Sequence, residues 1–195
     1  MKRSRSQILS AFSCTTFALV LAFGVAIDAQ ERADACLVQV APAVARLLIQ
    51  RFPTYRLAHA TDSTAENVRY NRADGGTGCL FVATGDFNGD RAKDFAVALI
   101  PITGKVLVVP VALSQKGSWR IDTLKSWVDE TAQLYVSSLR PGLLKRSGAV
   151  EGHLDQNERR SLRCATDALQ VGATESTGIA YCHVNNRWLC VWVSD

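Results

Sequence analysis

The sequence predicts an α+β domain in which one N-terminal helix packs on a mostly antiparallel β-sheet of six to eight strands. Three observations carry this prediction. An amphipathic stretch covers residues 35–52, eight short β-like runs follow residue 78, and Gly, Asn and Ser separate those runs at turn spacing. The composition agrees: 48% apolar and 21% charged residues in a 195-residue chain are the balance of a globular domain with one core.

The chain opens with Lys2, Arg3 and Arg5, continues uncharged from 6 to 27, and reaches small residues near Ala29. That order is the n-region, h-region and cleavage site of a secretory signal peptide. Cleavage is placed after Ala29, although Ala26 and Ala35 also satisfy a small-x-small rule. The division is therefore a signal peptide over 1–29 and a single domain over 30–195, with periplasmic or extracellular residence. A membrane partner follows only if the segment stays uncleaved as an anchor, since about 20 uncharged residues can span a bilayer.

Removing three basic residues and Asp28 from a net charge of +4 leaves +2. Nucleic acid is excluded as a partner on this ground, because phosphate neutralisation needs clustered Lys and Arg, and Lys145-Arg146 and Arg159-Arg160 are only isolated pairs.

Within the domain, Leu37, Val38, Val40, Ala41, Val44, Ala45, Leu48 and Ile49 recur at three- and four-residue steps, and Pro53 stops the helix. Pro42 suits a helix only in its first turn, which places the start there. Residues 54–78 are polar and end in Gly75-Gly76-Thr77-Gly78, a loop without the Gly-Lys-Ser/Thr ending of a phosphate cradle. Strands are expected at 79–84, 95–100, 106–113, 119–124, 134–139, 168–172, 178–183 and 187–193, with a helical turn at 157–163. The last two strands form a hairpin around Asn185-Asn186.

Five cysteines follow residue 29: Cys36, Cys79, Cys164, Cys182 and Cys190. An exported protein keeps disulfides, and an odd count leaves one thiol over. Two hairpin registers are open. A three-residue loop ending at Arg187 sets Cys182 across from Cys190, whereas a two-residue turn sets Cys182 across from Leu189 and points the two sulfurs to opposite faces.

One segment carries legible chemistry. Residues 86–94 place Asp86, Asn88, Asp90 and Asp94 at loop positions 1, 3, 5 and 9, and the Ala92 carbonyl at position 7 adds a fifth oxygen. Calcium takes six to eight oxygens, which alternate residues of a tightly curved loop supply. An EF-hand is excluded, because it needs glycine at position 6 and glutamate at position 12, where this chain has Arg91 and Val97. The segment 86–97 instead resembles the FG-GAP/VCBS type of repeat: Asp-Phe-Asn-Gly-Asp, three residues, Asp, then an apolar strand. That resemblance implies a calcium-binding loop between two β-strands, with Asp86, Asn88, Asp90 and Asp94 as ligands. It covers 15 to 20 residues and departs from the pattern at Arg91, where glycine is usual. A single copy does not make a propeller, which needs several blades.

The remaining signals are weaker. His59, His153 and His183 stand in no recognised catalytic motif. Glu151 with His153, and Asp129 with Glu130, are carboxylate or acid/base pairs only if the fold adds a third group, and otherwise solvated loops. Trp188 and Trp192 share one strand face with Tyr181 nearby, which is a core stripe or a ligand platform. These residues lead to an exported, calcium-stabilised, non-enzymatic binding module for a protein or an envelope-surface ligand. A hydrolase using a loop histidine and a periplasmic enzyme inhibitor are the alternatives.

Overall fold

A computed structural model describes residues 33–124, 127–128, 131–150 and 152–194. The expected signal peptide, Glu151 and the pair Asp129-Glu130 lie outside these residues.

The chain enters through a 3₁₀ turn, Leu37–Gln39, and helix α1, Pro42–Arg51, with Pro42 in its first turn. Proline is favoured there because its missing N–H has no intrahelical partner anyway. Val44 and Leu48, one turn apart, are fully buried and anchor α1 to the core. Strand β1, Tyr55–Leu57, and a 3₁₀ turn, Ala60–Asp62, lead to helix α2, Ala65–Ala73. The polar segment 54–78 is thus not one loop. Thr64 caps α2 by accepting the Asn67 N–H at 3.1 Å, yet no residue of α2 is buried, so its sequence carries no hydrophobic period.

Thirteen further strands follow among the described residues: β2, Val82–Gly85; β3, Asp94–Val97; β4, Leu99–Pro101; β5, Val106–Leu107; β6, Pro110–Gln115; and β7, Ser118–Thr123. The second half contains β8, Trp127–Val128; β9, Leu134–Leu139; β10, Gly142–Lys145; β11, Ser161–Cys164; β12, Ala168–Ala173; β13, Thr177–Val184; and β14, Arg187–Ser194. All pairing between these strands is antiparallel.

Two helices on antiparallel sheets fit the expected α+β class, but the single sheet of six to eight strands is divided. One four-stranded sheet runs β2-β3-β6-β7 and another runs β14-β13-β12-β9, with three two-stranded pairs beside them. The division arises because apolar runs change partner midway. Residues 94–97 pair with β2 and β6, whereas 99–101 pair with β1, and the break falls at Ala98, whose N–H bonds to Phe81 O at 2.8 Å. The two large sheets touch where Val136 N–H donates to Leu80 O at 2.7 Å, and they share one core that includes Phe81, Val97, Val111, Leu169, Val171 and Ile179. The expected helical turn at 157–163 is absent: residues 157–159 run along β14, and β11 begins at Ser161.

The β13–β14 hairpin closes in two residues, both with positive φ (48° at Asn185, 63° at Asn186). This is the turn whose twist matches paired strands, and Asn tolerates it. Cys182 therefore lies opposite Leu189, and Cys190 opposite Tyr181. The two-residue register holds, and Cys182 pairs with Cys164, while a second disulfide joins Cys36 to Cys79. Disulfides of this kind persist in oxidising compartments. Among the described residues no helix is long and apolar enough to cross a membrane.

Candidate functional site

The five expected ligand positions lie together on the connection between β2 and β3, whose register sets Gly85 opposite Asp94. The chain reverses through Gly89 at φ 83° and Arg91 at φ 66°, and the acidic side chains fold back onto the backbone they flank. Asp86 Oδ1 accepts Gly89 N–H at 2.7 Å and its Oδ2 accepts Arg91 N–H at 3.0 Å. Asn88 Oδ1 accepts Asp90 N–H at 2.9 Å, and Asp90 Oδ1 accepts Ala92 N–H at 2.8 Å. Ser114, on β6, donates its hydroxyl to Asp90 Oδ2 at 3.1 Å, while its carbonyl accepts from Asn88 Nδ2 at 2.8 Å.

Asp94 differs from the others because it is fully buried. Its Oδ2 accepts Phe87 N–H at 2.8 Å and Asn88 N–H at 3.3 Å, and its Oδ1 accepts Ser114 N–H at 2.7 Å. Burial pushes its carboxyl above the usual range against the pull of those three donors, and the neighbouring Asp90 charge pushes the same way. Phe87, fully buried, anchors the loop from below.

The donor set is all oxygen, which suits a hard cation such as calcium. An ionised carboxylate has about four lone-pair sites, so Asp86 and Asp90, each accepting two hydrogen bonds, keep acceptor capacity. Asp94 is more committed: three N–H groups leave it about one site, less than a bidentate ligand needs. Among the described residues no three His, Cys, Asp or Glu side chains gather into a metal cluster. Among these oxygen donors Asp86 and Asp90 keep acceptor capacity, while Asp94 is taken up in supporting the loop backbone.

Three partners of this loop were not legible in its own sequence: Ser114, Thr166 and Asp167. Thr166 donates its hydroxyl to Phe87 O at 3.0 Å, and Asp167 Oδ2 accepts Asp86 N–H at 2.9 Å. The approach is close, since a Cβ on Gly85 would come within 2.9 Å of that carboxylate.

Beside this loop, edge strand β7 meets the β13–β14 hairpin, and Phe87 of the loop lies 6.5 Å from Trp188 ring to ring. Arg120 Nη2 bonds Asp122 Oδ2 at 2.9 Å and lies 2.8 Å from His183 Nε2, and Arg120 Nη1 bonds the Asn186 amide oxygen. Trp188 Nε1 donates to Asp122 Oδ2 at 2.9 Å, and its ring lies 5.1 Å from the His183 ring. Burial first, and then the Arg120 charge, hold His183 below the usual histidine range. A neutral ring accepting from Arg120 at Nε2 carries its proton on Nδ1. His59 instead sits 3.5 Å from Asp34 in the first half of the chain, and His153 is exposed.

Trp188 and Trp192 are half-buried and rest against the common core. With Tyr181 they form one wall of a cavity of about 440 Å³. The chain matches no protein-family model, no curated protein and no solved structure.

Proposed function

We propose that this chain is an exported, non-enzymatic binding module, stabilised by calcium at residues 86–94 and engaging a protein or an envelope-surface ligand. The observation that carries the calcium reading is charge without compensation. Asp86, Asp90 and Asp94 fall within nine residues, and among the described residues none is ion-paired to a basic side chain. A cation there removes the mutual repulsion and the cost of burying Asp94 ionised. The resemblance of 86–97 to the FG-GAP/VCBS loop supports the same reading.

A hydrolase has in its favour that His183 and Asp90 line one cleft of about 580 Å³. Against it, the Nε2 lone pair that a general base would use faces Arg120.

The test is thermal unfolding of the mature chain with and without about 1 mM calcium, for wild type and Asp90→Ala. With a dissociation constant near 0.1 mM, calcium adds about 1.4 kcal/mol, a rise of roughly 3–6 °C at this chain length. The increment is expected in wild type and should be lost in Asp90→Ala. A calcium increment of zero in wild type ends the calcium reading.

A further inference from the structure

The cavity beside Trp188 lies between the end of β7 and the outer edge of β14. Strand parity brings Tyr181, Trp188 and Trp192 to one face of the β13–β14 hairpin, because Tyr181 pairs with Cys190 and Ile179 with Trp192. The bond from Trp188 Nε1 to Asp122 fixes that indole at its polar edge. The opposite wall is the segment 155–158, fastened along β14 where Cys190 N–H donates to Asn157 O at 2.9 Å and Arg159 N–H to Cys190 O at 2.8 Å.

That wall carries two carboxylates, Asp155 and Glu158, the second ion-paired to Arg146. Glu158 is only 4% exposed, and its Oε2 accepts Asp155 N–H at 3.3 Å. Its Oε1 faces Arg146 at 3.5 Å without a hydrogen bond. Asp155, on the rim, has no ion pair among the described residues. Among the described residues no basic side chain lines the cavity itself, although Arg146, Arg159 and Arg187 bond to residues 156–158 of this wall. Aromatic faces attract cations through the ring quadrupole, and nearby carboxylates add to that attraction. Asp155, which has no ion pair among the described residues, supplies the uncompensated charge on this wall. The volume of about 440 Å³ falls within the roughly 300–1,000 Å³ of small-molecule sites.

We propose that this cleft binds a small organic cation, with an ammonium group against Trp188 and Trp192 and facing Asp155 and Glu158. The proposal rests on the binding-module reading and assigns that module a ligand class.

The experiment follows intrinsic tryptophan fluorescence of the mature chain at constant ionic strength. Choline is titrated against its uncharged isostere 3,3-dimethyl-1-butanol and against the neutral disaccharide cellobiose. Choline is expected to saturate the signal and to bind about tenfold more tightly than the isostere. Asp155→Asn, an exposed change that leaves the fold intact, is expected to weaken choline about threefold, and Trp192→Leu to weaken it further. Equal binding of choline and the isostere overturns the proposal, as does binding of cellobiose alone or no response to any probe. The calcium increment in unfolding is a separate readout. Failure with choline while calcium still stabilises removes only the ligand class, and the reverse result removes only the calcium site.

Discussion

At the 86–94 loop the two four-stranded sheets are joined largely through backbone groups: Asp167 N–H donates to Asp86 O, Asp86 N–H to the Asp167 carboxylate, and Phe87 O accepts from Thr166. At the other joint, β7 meets the β13–β14 hairpin through side chains: Arg120 and Asp122 on one side, His183, Asn186 and Trp188 on the other. The first joint depends on carboxylates that accept from backbone N–H groups. The second includes an imidazole that must stay neutral to accept from Arg120. The difference makes one joint a matter of burial and cation binding and the other a matter of protonation.

The largest effect is expected where burial is deepest. Asp94→Ala leaves the N–H groups of Phe87, Asn88 and Ser114 without their acceptor at a fully buried position. Each unpaired buried donor costs on the order of 1–3 kcal/mol, and partial relaxation brings the total to about 3 kcal/mol. The unfolding midpoint should fall by roughly 6–12 °C. A loss below about 1 kcal/mol, read from denaturant unfolding, would show that the loop is held by something other than this carboxylate.

A smaller change separates the joints by their turns. Arg91 sits at φ 66°, where a side chain costs about 1 kcal/mol or more and glycine costs nothing. The extra freedom of glycine in the unfolded chain offsets part of the gain. Arg91→Gly is therefore expected to stabilise by about 0.5 kcal/mol. Asn186→Gly, in a turn that Asn already tolerates and with a side chain that bonds Arg120, should stabilise less or destabilise. Midpoints that move equally for the two variants would erase the distinction.

The same contrast explains what could be read in the sequence. The loop was legible because its oxygens lie at positions 1, 3, 5 and 9 of one continuous stretch, and the hairpin because Asn185-Asn186 marks its turn, although both registers of that hairpin fit the sequence and only the strand pairing selects one. Helix α1 was legible through Val44 and Leu48, whose spacing states the buried face. Helix α2 was not, since Glu66, Arg69 and Arg72 turn toward solvent and no residue of it is buried. Division of the sheet escaped notice for a different reason: residues 94–100 are buried throughout and show no alternation to mark the break at Ala98. The aromatic stripe of Trp188 and Trp192 was visible, but its opposite wall comes from residues 155–158, which no local pattern connects to it. Neither was the pairing of Arg120 with His183 recoverable, because 63 residues separate them.

The smallest effect isolates the side-chain joint. His183 has a folded pKa below its ordinary value of about 6.5, so the unfolded chain binds the proton more tightly. Its contribution to stability is complete above pH 6.5 and is lost as pH falls from there toward the folded pKa. Protonation also puts a second cation against Arg120, and Asp122 only partly opposes it. His183→Gln keeps an acceptor for Arg120 and cannot titrate. Denaturant midpoints measured at pH 7.5 and pH 5.5 should fall more for wild type than for His183→Gln. Parallel losses in the two proteins would mean that His183 does not set the pH response, and that the two joints differ in position but not in kind.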